Sequence, residues 1–76
     1  MRIITVRQLE VLHFIEGFIK DNGYSPTIRE IGKHFRVSAK GAYDHVIALE
    51  KKGYVTYQTG KLRTLRIIEK KQGGEA

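Results

Sequence analysis

The sequence contains no cysteine. That excludes disulfides and thiolate metal sites, so apolar packing has to hold the fold, and it gives no sign of an oxidising compartment. No apolar run approaches the ~20 residues that cross a bilayer. The opening Met1-Arg2-Ile3-Ile4-Thr5 lacks the longer apolar stretch of a secretory signal. A soluble intracellular chain with no membrane partner is therefore the default expectation. Catalytic signatures are missing too: there is no G-x-S-x-G, no phosphate-loop glycine motif and no pair of acids suited to a pocket. His13, His34 and His45 do not fall at zinc-ligand spacings, so packing or surface roles are expected of them, with no metal and no cofactor. A chain of 76 residues holds one domain with a modest core and little room for a sheltered cavity. An enzyme with a small-molecule substrate is the least expected class.

What the sequence does have is positive charge, unevenly placed. The formal net charge is +6 and the isoelectric point is about 9.8. Residues 1–28 and 67–76 each sum to zero. Between them lie Arg29, Lys33, Arg36, Lys40, Lys51, Lys52, Lys61, Arg63 and Arg66, against only Glu30, Asp44 and Glu50. The whole excess sits in one half of the chain, as expected of a nucleic-acid surface. Charge alone fits a merely solvated basic face equally well.

Three helices are expected, in order. Thr5-Val6-Arg7-Gln8 fits a capping box, in which a threonine hydroxyl and a glutamine amide satisfy each other's free backbone N–H groups. Leu9, Leu12, Ile15 and Ile19 then recur at helical spacing, widened by Val11, Phe14 and Phe18, up to Asp21-Asn22-Gly23. This predicts a helix over roughly residues 6–21. Pro26 biases Ser25 towards extended backbone. Thr27-Ile28-Arg29-Glu30 is a second capping box, and Ile28, Ile31 and Phe35 share one face of the helix it starts. Arg36-Val37 breaks that pattern. Ser38 is a good N-cap for a third helix with Ala42, Val46 and Leu49 on its inner face, closed by Gly53. A short turn between the second and third helices is the mark of a helix-turn-helix, whose second member is presented to DNA.

After Gly53 the period changes. Tyr54–Gln58 and Arg63–Ile67 alternate and are rich in β-formers, with Thr59-Gly60-Lys61 between them as turn residues. The expected fold is mainly α (α+β): a three-helix winged helix-turn-helix over residues 1–68 with a C-terminal two-stranded β-hairpin wing. Residues 69–76 read as a frayed tail or linker stub.

The ordered set of segments resembles one family. Thr5–Leu12 is similar to the "LT-x-RQ-x-EVL" opening of LexA repressors. Asn22–Ile31 resembles their "G-x-PPT-x-x-EI" connector, Ser38–His45 their recognition helix, and Leu49–Tyr54 their "L-x-x-KG-x-I" step into the wing. The likeness runs from about residue 3 to residue 68. It implies a bacterial, cytoplasmic transcriptional repressor that binds a palindromic double-stranded operator in genes of the DNA-damage (SOS) response. LexA repressors also carry a serine–lysine self-cleaving domain that makes most of the dimer contacts, and 76 residues have no room for it. The chain is then an excised domain, a stand-alone relative or a designed version. No self-cleavage is expected, and any homodimer should be weak or DNA-templated.

The resemblance places base contacts at Lys40, Gly41, Tyr43 and Asp44, on the helix face opposite the core. Lys40 suits guanine O6 and N7, or else a phosphate. Asp44 can accept from cytosine N4, or is a plain surface acid. Gly41 permits close approach. Tyr43 can meet a thymine methyl or a phosphate, or lie half-buried against the second helix. Ser38 is an N-cap first and a base or phosphate contact second. Arg29, Lys51, Lys52, Lys61, Arg63 and Arg66 are phosphate candidates. Gly60, Lys61 and Arg63 form the wing, which enters the minor groove or is an ordinary solvated turn. Two rival functions remain open: a winged-helix protein–protein adaptor, and a non-specific nucleic-acid or RNA binder.

Overall fold

The computed structural model describes residues 3–68, so the expected tail at 69–76 lies outside the described residues. Three helices, α1 (Val6–Asn22), α2 (Ile28–Phe35) and α3 (Ala39–Lys51), precede two short strands, β1 (Val55–Thr56) and β2 (Arg66–Ile67). The strands pair antiparallel, Val55 opposite Ile67 and Thr56 opposite Arg66.

Local chemistry sets the helix ends. Both capping boxes form: Thr5 Oγ1 accepts from the Gln8 N–H at 3.1 Å while Gln8 Oε1 accepts from the Thr5 N–H at 3.2 Å. Thr27 and Glu30 repeat the exchange at 3.1 and 2.9 Å. Ser38 Oγ caps α3 by accepting from the Gly41 N–H at 3.0 Å. At the far end of α3, Gly53 takes a left-handed φ of 87°. Its N–H reaches Glu50 O and that of Tyr54 reaches Leu49 O, both at 3.0 Å, satisfying two carbonyls the helix leaves free. The end of α2 is built the same way, but with Arg36 in the left-handed position at φ 60°. Arg36 is where the sequence pattern breaks.

The core joins one face of each helix to the wing. Val11, Leu12 and Ile15 meet Ile31 of α2, Ala42, Val46 and Leu49 of α3, and Val55 and Leu65 beyond. The buried face of α1 is turned slightly from the expected stripe, for Leu9 is 39% exposed and Val11 fully buried. Gln8 stands on that inner face instead, one turn before Leu12, where its amide has polar partners described below.

The turn between α2 and α3 depends on a residue the sequence patterns did not flag. A Cβ on Gly32 would lie 2.9 Å from Val37 O and 3.3 Å from Ser38 O. Both are backbone atoms with little freedom to yield. Glycine at this position lets the chain fold back tightly enough to lay α3 across α2.

The wing is less regular than its alternating sequence suggests. Instead of two five-residue strands, only two residues pair on each side. Arg63 has a left-handed φ of 56°, which ends any extended run there, and Leu65 turns into the core at 3% exposure. Side chains replace the missing ladder: Thr64 Oγ1 accepts from the Gln58 N–H at 3.0 Å and donates to Gln58 O at 3.2 Å. Among the described residues no helix is long and apolar enough to cross a membrane.

Candidate nucleic-acid interface

The inward side of α3 is apolar and buried, so the helix is fixed in rotation about its own axis, and whatever lies opposite Ala42, Val46 and Leu49 is offered outward. That outward face begins at Ser38 and carries Lys40 and Asp44, all exposed, with Gly41 partly covered. Lys40 Nζ lies 3.3 Å from Asp44 Oδ2, one turn on, with side chains 83% and 60% exposed. A surface pair of this kind contributes only about 0.3–0.5 kcal/mol. It separates easily when a better partner approaches either group. Ser38 uses its hydroxyl oxygen as the cap acceptor, which leaves its O–H free to donate.

Gly41 differs from Gly32. A Cβ there would meet Ser38 Oγ at 3.4 Å and Val37 Cβ at 3.5 Å, ordinary contacts. The fold does not require glycine at 41, and its bare backbone is on the outer side of the first turn. Tyr43 is half-buried, as one of its alternatives held, and it has a partner near the wing. Its ring meets that of Tyr57 edge-on, centroids 6.2 Å apart. The pair ties α3 to the base of the wing.

Two of the basic candidates are tied to distant segments of the chain. Lys52 is tethered: its ammonium donates to Ile3 O and, at 2.6 Å, to Gln8 Oε1, pinning the end of α3 to the start of α1. Arg63 is tethered more fully. Its two terminal nitrogens each lie 3.1 Å from a different oxygen of Glu30, and one also donates to Ser25 O at 2.8 Å. The guanidinium sits 4.6 Å from the centre of the Tyr24 ring. This bond to Arg63 and the Thr27 N–H hold the Glu30 carboxyl below the usual glutamate range, and Glu30 raises Arg63 in turn. Arg29 on the first turn of α2, Lys51 at the end of α3, Lys61 in the wing loop and Arg66 on β2 are all exposed. Arg29 and Lys61 line one groove together with Ile28, Tyr57 and Gly60.

Sequence patterns missed Glu30, Tyr24 and Ser25 as the seat of the wing, and Gln8 as the partner of Lys52. Glu30 and Gln8 were already accounted for by their capping boxes, and nothing local signals a second partner. Of the histidines, His34 packs: it stacks on Phe14 at 4.2 Å and meets Phe35 edge-on at 4.7 Å.

Three helices with a tight turn between the second and third, an outward polar face at the start of the third, and a small basic wing define a winged helix-turn-helix DNA-binding domain. The particular family follows from comparison with known proteins. The family described as LexA DNA binding domain matches residues 1–64, and the chain belongs to it. It is 55% identical over 67 residues to the LexA repressor of Thermotoga maritima, covering 88% of this chain and 34% of that protein. The LexA repressor of Thermosipho melanesiensis is 46% identical over 72 residues, 95% of this chain and 36% of the relative. That of Leptospira interrogans is 48% identical over 68 residues, 90% and 34% of the two. The chain thus spans about a third of the length of the curated relatives it matches.

Proposed function

We propose that this domain reads a specific double-stranded DNA half-site as the DNA-binding part of a LexA-like repressor. The observation that carries this reading is the outward side of the first two turns of α3, where Ser38, Lys40, Gly41 and Asp44 stand together while the opposite face is locked in the core. Helices presented this way lie in the major groove with their first residues at base edges. Lys40 donates to guanine, Asp44 accepts from cytosine, and the bare backbone at Gly41 lets the helix sit deep. Tyr43 supports the helix from the wing side and reaches a thymine methyl or a phosphate with its exposed edge. Arg29, Lys51, Lys61 and Arg66 neutralise phosphates, and Lys52 adds its third donor. Gly60 and Lys61 bring the wing loop to the minor groove or the adjoining backbone.

One such domain makes few contacts. Two copies on a palindrome, with half-site centres roughly 34–36 Å apart, add affinity through DNA-templated pairing. Occupancy of a promoter then blocks transcription, in keeping with the name repressor borne by the relatives.

The phosphate part is tested by affinity for a random-sequence duplex measured against salt. Five phosphate contacts predict a log–log slope of about −4.5 per domain. A slope near zero, or no binding at low salt, overturns the nucleic-acid reading and brings the protein–protein adaptor forward.

A further inference from the structure

The paired strands are too short to aim the wing by themselves, since two residues on each side fix only the hinge end of a loop running from residue 57 to residue 65. We propose that Arg63 and Glu30 form a clasp that positions the wing against the helix-turn-helix, so that Arg63 acts on DNA through the wing's placement and not as a phosphate ligand. The proposal rests on the DNA-binding reading above.

Four observations meet at this one guanidinium. It forms the fork-to-fork pair with Glu30, both bonds at 3.1 Å, a geometry that fixes orientation as well as distance. It reaches the backbone at Ser25 O at 2.8 Å, in the connector that enters α2. It lies 4.6 Å from the centre of the Tyr24 ring. Its own backbone has a left-handed φ of 56°, a conformation costly for a residue with a Cβ and kept where surrounding contacts over-determine it. Three of its five N–H donors are engaged in this way and its charge is matched by Glu30, so a phosphate has to compete with that carboxylate for it. Glu30 in turn stands at the start of α2, the element whose turn presents α3. The clasp therefore joins the wing to the helix pair it has to work beside. With it closed, Lys61 of the wing loop and Arg29 of α2 line the same groove, which brings two exposed cations to one place on the surface.

Glu30→Gln is the informative substitution, because glutamine keeps the capping box and loses only the charged fork. Removing an acid from a DNA-facing surface should by charge alone tighten binding. The clasp predicts the opposite: affinity for a palindromic duplex enriched from a random pool by the unmodified chain falls about five- to tenfold. Arg63→Lys falls as far although it keeps the charge, the double variant falls little further, and all three keep the parent salt slope. Measured well below each variant's melting temperature, these losses do not reflect global unfolding. In the DNA-free chain, amide exchange over residues 58–64 quickens in Glu30→Gln while α1 and α3 stay protected, an arm that reads the clasp even if no DNA is bound. The clasp is overturned if Glu30→Gln binds as well as the parent or better. It is equally overturned if Arg63→Gln lowers the salt slope by about 0.9, the sign of a lost phosphate contact, or if loop exchange in Glu30→Gln is unchanged.

Discussion

Gly32 and Gly41 are both glycines near the start of a helical contact, yet they answer to different demands. At Gly32 an added methyl runs into Val37 O at 2.9 Å. Gly32→Ala is expected to destabilise the domain by about 1–3 kcal/mol through overpacking against backbone, read as a lowered denaturant midpoint with unchanged m-value. At Gly41 the methyl has ordinary room, and alanine is the better helix former. Gly41→Ala should raise stability by about 0.5–1 kcal/mol while weakening binding to the selected operator. A variant that is both more stable and tighter-binding would contradict the close approach assigned to Gly41. Sequence alone does not separate the two: Gly41 lies in a recognition-helix pattern, whereas only the return of the chain at Val37 makes a side chain at 32 matter. Lys52 and Arg63 show the same limit. Each read as a bare cation, for their partners Gln8 and Glu30 lie 44 and 33 residues away.

Among elements, the helices were legible and the wing only in part. Helix starts are fixed by caps that close within three residues, so the capping boxes Thr5–Gln8 and Thr27–Glu30 and the single cap at Ser38 locate them to within a residue. Burial followed from the 3.6-residue period, with a small error in rotation at Leu9. The wing was expected to have two full strands because Tyr54–Gln58 and Arg63–Ile67 alternate. Alternation does not guarantee pairing, and Arg63 leaves the extended region to reach Glu30. This attachment carries a pH dependence. The folded-state pKa of Glu30 is lowered, first by Arg63 and then by the Thr27 N–H. Its contribution is therefore fully present above the ordinary glutamate value and is lost as pH falls through the lower folded value. Acid should loosen the wing while the helices persist. Thermal melts of the parent chain should fall more steeply below pH 4.5 than those of Glu30→Gln. Parallel acid limbs would argue against the attachment.

On the scale of the whole molecule, charge and shape agree. The basic excess confined to residues 29–66 spans α2, α3 and the wing, the elements that bound the outward face, while α1 carries Arg7 and Lys20 against Glu10, Glu16 and Asp21 and supplies three of the core side chains. That division was visible in the sequence, as was the order of elements. How the cations are shared between internal ties and open surface was not, because it depends on contacts between distant segments. The Lys40–Asp44 pair bears on the central claim. The two charges offset each other on the outward face of α3; on the proposed reading, approach to an arbitrary phosphate then gains little and a correct base contact has to satisfy both groups.

Selection from a pool of random-sequence duplexes at low and moderate salt, followed by sequencing of the bound fraction, tests that claim most directly. The parent chain should enrich a short palindrome. Lys40→Ala or Asp44→Ala should change the preferred bases at specific positions of the half-site, with roughly 1–3 kcal/mol of discrimination lost there, and Asp44→Ala should also bind unselected DNA more tightly. Binding without enrichment, or enrichment indifferent to both substitutions, would contradict sequence reading by α3.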